Sequence, residues 1–387
     1  MAVATALRPA TAAECAAALA DLAAEGRSVR IAGSGTKSYL GDPAPTDTTL
    51  ETGAMSGIVD HVPADLTVTV AAGTLLAEVQ AALARHGQML PLDPPHADAA
   101  TLGGIVAASS NGFGRVRYGG VRDLLIGTVV ALPDGSVARG GGRVVKNVAG
   151  YDLNKLVIGS LGTLGVITEA TFKVVPLPAA REAVAVRCAR AAAAFEIADA
   201  LLRTPLRPAA LAIEGTRAGW SIVVVAQGVA AQVRRAMAEA SRAAERAGAS
   251  VARVDESEAL LPLRELPATA TVGALIRASL PLAAQRSYAE SASRLDTFER
   301  CVADAGSGVV RVHLRGDHPA VVHSADTLLA AANAVGGSAR VERRDDGLRE
   351  RLSAWADARP GGDFLMRRLK DAFDPNGILE PGRSIVG

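Results

Sequence analysis

The spacing of apolar residues changes period several times along this chain, and each change marks an element. Residues 12–25 are alanine-rich with helical spacing; Thr11 and Glu14 form a capping box at the start and Gly26 supplies the stop. Residues 28–31 read as a short strand. Residues 66–71 (LTVTVA) alternate as a second strand, and after Gly73 a helix is predicted over 75–86, ending at Gly87. A long loop, 91–101, leads to a small-residue helix near 102–108. Residues 126–132 and 136–139 flank Pro133-Asp134-Gly135, which predicts a hairpin with an Asp-Gly turn. A further strand over 166–175 is closed by Pro176 and Pro178.

Beyond Pro178 the pattern becomes Ala/Arg/Glu-rich helix, as at 231–247, with isolated strands at 211–213, 221–226 and 309–314. That alternation predicts a smaller α+β domain over 179–358. Residues 364–373 read as a short helix, and DPNGILEPGR after it as a turn. We find no internal repeat. At 387 residues the chain is long enough for two or three domains.

Charge excludes some partners. With 41 Lys+Arg against 40 Asp+Glu, no nucleic-acid surface or polybasic membrane patch is expected. The three cysteines, Cys15, Cys188 and Cys301, lie far apart, with no spacing for a zinc ribbon or an iron–sulfur cluster, and fit a reducing compartment. Glu14 and Asp21 interrupt the N-terminal apolar run, so no signal peptide is expected. Apolar runs such as 124–132 are too short to span a bilayer. The expectation is a soluble protein of the cytoplasm, with a membrane-docked partner left open.

Three glycine-rich loops carry the candidate chemistry. In the first, Gly33, Ser34, Gly35, Thr36 and Lys37 follow a strand, where small residues let backbone N–H groups converge on an anion. It is neither a Rossmann GxGxxG, which needs glycine at Ser38, nor a Walker loop, which needs glycine at Thr36; a plain tight turn is the alternative. The second runs through His96 to Thr101, Leu102, Gly103 and Gly104, then Ser109 and Ser110, with Arg115, Arg117, Tyr118, Arg122 and Asp123 close behind. A solvated basic turn is its alternative. The third, 159–165, contains Gly162 and lies within the informative stretch 142–176, with Val166 and Ile167 directly after it. Glycines at this density cost backbone entropy and persist where a chain turns tightly or meets a ligand closely.

Together these loops resemble the FAD-binding domain of the vanillyl-alcohol oxidase, or PCMH-type, family over about residues 9–178. Within it, LTVTVAAGTLLAEVQAALARHGQMLPLDPPHADAATLGGIVAASSNGFGRVRYGGVRDLLIG and GRVVKNVAGYDLNKLVIGSLGTLGVITE are most similar to the E-subunit family of bacterial glycolate oxidases. FDPNGILEPGR is similar to the family's closing motif, which returns the chain to the flavin domain after the cap. The resemblance implies an α+β fold: a PCMH-type FAD-binding domain of two α/β subdomains (1–178), a smaller α+β cap (179–358) and a returning C-terminal segment (359–387). It also implies site roles. Gly33, Ser34, Gly35, Thr36 and Lys37 would wrap the FAD pyrophosphate; Thr101, Leu102, Gly103, Gly104, Ser109 and Ser110 would line the second phosphate and isoalloxazine side; Gly162, Val166 and Ile167 would hold the ring and adenine ends. Covalent members attach flavin through His or Cys in these loops. The first loop has neither and His96 lacks the usual surroundings, so noncovalent FAD is expected.

The implied activity is oxidation of glycolate, a 2-hydroxy acid, to glyoxylate. The implied partners are a larger FAD-binding subunit carrying the main substrate site and an iron–sulfur subunit. A non-catalytic structural subunit and a stand-alone oxidase of another 2-hydroxy acid are the alternatives. Related catalytic subunits carry an HxGDGN-like segment in the cap. Here Gly316 and Asp317 remain, but the asparagine does not, and no catalytic residue is assigned. His313, His318 and His323 share no helical face, so no metal site is expected. His61 and His86 read as local structure, Arg343-Arg344-Asp345-Asp346 as a solvated charged turn, and Asp152 with Lys155 as a local pair. Lys146 and Asn147 fit either a flavin contact or a loop cap.

Overall fold

The computed structural model describes residues 5–142, 152–355 and 362–385. Lys146, Asn147 and most of the Gly150-Tyr151-Asp152 turn therefore lie outside the described residues. Two compact units are formed: Met1–Asn111 with Gly119–Leu177 and Ala358–Gly387, and Gly112–Tyr118 with Pro178–Asp357.

In the first unit, a helix Ala12–Ala24 starts where Thr11 Oγ1 accepts from the Glu14 N–H at 3.1 Å and ends before Gly26, whose φ is +64°. The Glu14 carboxylate reaches back to Ala10 N rather than to Thr11, so the capping box closes one residue early. This helix packs through Cys15, Leu19 and Leu22 on a small parallel sheet of Thr5–Leu7, Thr48–Glu51 and Val29–Ala32. The C-terminal segment joins the same sheet. Val29 N donates to Ile378 O and Glu380 N to Val29 O, at 2.8 and 2.9 Å, while Ile378 and Leu379 fill the core beneath.

The second subdomain is a five-stranded antiparallel sheet in the order Ile58–Val62, Thr67–Ala71, Val166–Lys173, Leu125–Ala131, Val137–Gly141. Val68, Val70 and Phe172 on its inner face pack against Leu76, Val79 and Leu83 of the helix Leu76–Ala84 and against Leu102 and Ile105. Each such large side chain, fully buried, contributes about 1.5–3 kcal/mol. The Asp-Gly hairpin forms with a longer turn than two residues: Leu132 N pairs with Ser136 O, Gly135 has φ +83°, and Asp134 accepts from Ser136 N.

The second unit carries an eight-stranded sheet, ordered Ser250–Val254, Ala180–Cys188, Gly219–Gly228, Ala210–Thr216, Phe298–Asp304, Val309–Leu314, Ala274–Ser279, Ser338–Arg344, with every pairing antiparallel. The strands expected to stand alone are thus interior members of one sheet. Helices Ala191–Leu202, Ala230–Arg246, Gln285–Ser293 and His318–Ala334 cover one face, burying Leu211, Ile213, Ile276 and Val312. The other face buries Ala210, Ala212, Leu275 and Val302 against Leu260, Leu263 and Leu266. Arg343 and Arg344, read from sequence as a solvated turn, end the strand Ser338–Arg344. Arg343 donates to Pro267 O and Ala268 O at 3.0 Å, because a register shift between Leu275 and Ile276 sets it opposite Leu275, away from the face that Ala339 and Val341 bury. Among the described residues no helix is long and apolar enough to cross a membrane.

Candidate functional site

The ends of both subdomain sheets in the first unit converge on a cavity of about 160 Å³. Its first wall begins where the strand Val29–Ala32 stops. Gly33, Ser34, Gly35, Thr36 and Lys37 all line it, and Gly35 takes φ +73°, a conformation glycine adopts without strain. Lys37 is buried, and its ammonium donates to Pro95 O at 2.8 Å and Thr36 Oγ1 at 3.3 Å. The lysine therefore ties the first loop to the second.

Thr101, Gly103 and Gly104 form the second wall. Thr101 Oγ1 caps the helix Leu102–Ala107 by accepting from Gly104 N at 3.3 Å. The two loops touch so closely that a Cβ on Gly33 would lie 3.2 Å from Thr101 Cγ2, and nearer still to Oγ1. A Cβ on Gly103 would lie 2.7 Å from Ala72 Cβ. Leu102 faces the core, fully buried. Ser109, at φ +47°, and Ser110 terminate the helix, with Ser110 N donating to Ile105 O at 3.0 Å; neither lines the cavity.

The third wall is Leu161, Gly162, Gly165 and Ile167, with Gly162 at φ +85° and Gly165 at +149°. A Cβ on Gly165 would lie 2.7 Å from Val130 Cγ1. Val166 points the other way, into the core with Leu19 and Leu50. A buried lysine steadies this loop from outside: Lys370 Nζ donates to Thr163 O at 3.1 Å, Leu379 O at 2.9 Å and Asp374 Oδ2 at 2.6 Å.

Sequence reasoning missed Arg30, Thr52, Glu380 and Arg383, which also line the cavity. Glu380 takes φ +47°, and its carboxylate accepts from Ile31 N at 2.8 Å and Arg383 Nη1 at 3.3 Å. Burial pushes its pKa up, against the opposing pull of Arg383 and the Ile31 N–H. Arg383 Nη2 donates to Lys37 O at 2.8 Å. The segment's likeness to a closing motif was the available signal, but nothing local ties Glu380 to Ile31, 349 positions away.

The remaining candidates have local partners. His61 Nε2 lies 2.9 Å from Gln88 Oε1 and its ring meets that of His86 edge-on at 4.9 Å. His313 Nε2 lies 2.8 Å from Val272 O, His318 is 3.4 Å from Asp345, and His323 is on the exposed face of its helix. Asp317 caps that helix, accepting from Ala320 N at 2.8 Å, which gives the surviving Gly-Asp pair a structural role. Asp152 and Lys155 pair at 2.8 Å. Arg115 is exposed, and Arg117 donates to Arg207 O at 2.9 Å.

Charge also gathers on the sheet of the second unit. Arg311, Arg277 and Arg340 stand in register on adjacent strands, and Glu342 holds Arg311 bidentately at 2.6 and 3.2 Å. Burial, reinforced by Arg340 and Arg311, pushes Arg277 down to about 9.

Three glycine-rich walls with backbone N–H groups, and three cations against one carboxylate (Arg30, Lys37 and Arg383 against Glu380), suit a phosphate-bearing dinucleotide cofactor. Residues 3–141 match the family described as FAD binding domain. Over 151 residues, 39% of this chain, it is 47% identical to the glycolate oxidase subunit GlcE of Escherichia coli (strain K12), of which the match covers 43%. Over 157 residues (41% of this chain, 33% of the relative) it is 35% identical to the glycolate oxidase subunit GlcD of Bacillus subtilis (strain 168). The match to a mitochondrial D-lactate dehydrogenase of Arabidopsis thaliana is 43% over 114 residues, 30% of this chain and 20% of the relative. The matched stretches thus span less than half of these relatives' length.

Among solved structures, p-cresol methylhydroxylase with substrate bound superposes with a TM-score of 0.75 at 17% identity, covering 98% of this chain and 88% of that one. An alkyldihydroxyacetonephosphate synthase gives 0.74 at 15%, covering 97% and 75%. The chain has the PCMH-type fold, and its cofactor is FAD.

Proposed function

We propose that this chain is the FAD-binding subunit of a glycolate oxidase (glycolate dehydrogenase) complex, oxidising glycolate to glyoxylate and passing electrons to an iron–sulfur partner. The observation that carries the reading is the three-walled cleft, in a chain that over 151 residues is 47% identical to a relative named as a glycolate oxidase subunit. Bound FAD would take two electrons from a 2-hydroxy acid and hand them on. This chain's own part is to bind and orient the cofactor. The Gly33–Lys37 loop would present N–H groups to the diphosphate, while Thr101, Gly103 and Gly104 bring backbone against its neighbouring part. Ile167 and Gly162 would flank the cofactor from the third loop. At about 160 Å³ the cavity is smaller than the few hundred Å³ of a whole-ligand pocket, so it would enclose one part of FAD. Its described walls contain no histidine or cysteine, which supports noncovalent attachment.

Arg277 supports a carboxylate substrate: it has the Ser279 hydroxyl at 3.1 Å and Glu342 only at 4.0 Å, leaving its fork capacity for a further anion. The larger subunit would carry the main substrate site, and the iron–sulfur centre would belong to the other partner. The complex would be cytoplasmic, meeting the inner membrane only peripherally. One observation favours a supporting rather than a catalytic role: Asp317 is spent on a helix cap. The deciding experiment is anaerobic addition of glycolate to the chain alone and to the chain co-purified with its partners. The reading expects loss of the oxidised flavin absorbance in the assembled complex; a complex that glycolate leaves oxidised refutes it. Rapid turnover by the isolated chain with an artificial acceptor and another 2-hydroxy acid would establish the stand-alone oxidase instead.

A further inference from the structure

The first loop is held by a cation from outside its own sequence motif. Lys37, the cation of the first loop, is turned onto Pro95 O and Thr36 Oγ1. The guanidinium of Arg383 reaches this loop from the far end of the chain. It is nine-tenths buried, lines the cavity, and donates through Nη2 to Lys37 O at 2.8 Å and through Nη1 to Glu380 at 3.3 Å. Its Nε is buried with no hydrogen-bond partner among the described residues. A buried guanidinium donor left without an acceptor is costly, and guanidinium groups recur where phosphate is bound.

The backbone around Arg383 is fixed on both sides. Ala44 N donates to Pro381 O at 2.9 Å, and a Cβ on Gly41 would lie 2.6 Å from Arg383 O. Gly382, at φ +73°, is pressed against Asp42 O. Upstream, Asp374 holds Ile378 N and Leu379 N at 3.1 and 2.8 Å and is itself held by Lys370. The C-terminal segment is thus locked to the first and third loops together.

Resting on the FAD reading above, we infer that Arg383 is a positioning residue for the diphosphate of FAD. It fixes the Lys37 carbonyl so that the N–H groups of the Gly33–Lys37 loop point at the phosphates. Glu380 holds Arg383 in place while bonding Ile31 N, the strand residue that feeds the loop.

The test compares FAD with riboflavin, which lacks the diphosphate, by fluorescence titration of the apoprotein. In Arg383→Met, FAD binding should weaken by about tenfold or more, as expected for loss of a hydrogen bond to a charged group. Riboflavin binding should stay close to wild type, the thermal midpoint of the apoprotein should fall because the buried Glu380 loses its partner, and Arg383→Lys should recover part of both losses. Equal weakening of FAD and riboflavin, or no change in either, overturns the inference. Should Arg383→Met not fold, Arg383→Lys decides alone: a smaller but FAD-selective loss supports the inference, and wild-type selectivity refutes it. A wild-type chain that binds neither flavin refutes the FAD reading itself, which keeps the two failures apart.

Discussion

Replacing Gly33 with alanine places a methyl group against Thr101, and the consequence can be worked from the contacts. Gly33 has no positive φ, so alanine meets no backbone penalty there. The added Cβ would lie 3.2 Å from Thr101 Cγ2 and 3.3 Å from its Cβ, with Oγ1 nearer than either. Either the two loops separate or Thr101 rotates and surrenders the cap on Gly104 N. Overpacking of this kind costs about 1–3 kcal/mol, and loss of an N-cap about 1 kcal/mol. Expressed in cofactor affinity, 1.4 kcal/mol is about tenfold, so Gly33→Ala should raise the FAD dissociation constant by roughly ten- to hundredfold. Thr101→Ala alone should cost only the cap, because it adds no bulk. The double variant removes Oγ1 and Cγ2, the atoms that clash, and should therefore bind FAD better than Gly33→Ala alone. The assay is fluorescence titration of the four apoproteins with FAD, treated as a double-mutant cycle. Strictly additive losses, or a double variant worse than both singles, would refute the steric argument.

Three further outcomes follow from the buried ionisable groups. Lys370→Met leaves Asp374 as an uncompensated carboxylate that is 2% exposed, and should destabilise the first unit by about 3–5 kcal/mol, read as a lowered thermal midpoint; an unchanged midpoint would mean the pair contributes nothing. Cys15 and Cys301 are buried and burial pushes both thiols to about 12, so at pH 8 roughly one in ten thousand is thiolate. Cys188 is shifted upward too, and a thiol reagent should label the three only on unfolding; rapid labelling of the native chain would contradict this. Glu380 is raised above its ordinary 4.5 by burial, so the folded state holds its proton more tightly. Its contribution is complete below pH 4.5 and is lost as pH rises through the folded value, so stability should fall with pH more steeply in wild type than in Glu380→Gln. Parallel stability–pH curves would remove that assignment.

The legible parts of the fold carry local signals. The Thr11 cap with Gly26, the Pro133-Asp-Gly135 turn and the glycine loops each announce themselves within a few residues. The eight-stranded sheet was obscured because its strands place charge at alternate positions: Arg277, Arg311 and Arg340 interrupt the apolar runs that flag a strand. Those arginines are intelligible only once the strands are paired and Glu342 stands beside them. In the site, the loops that wall the cavity could be read because glycine marks close backbone approach. Which neighbours face inward could not: Leu102 and Val166 sit beside wall residues yet point into the cores. Lys37 was legible as a cation but not in its direction. Glu380 and Arg383 depend on pairings across nearly the whole chain.

The central claim is that the three-walled cavity holds FAD without a covalent bond. It is tested most directly by the visible absorption spectrum of the purified chain, alone and in its complex, before and after acid precipitation. The account predicts a flavin spectrum in the folded protein, with FAD released to the supernatant at about one per chain. A folded chain that is colourless in both states and takes up no added FAD, or a flavin that stays with the precipitate, would contradict it.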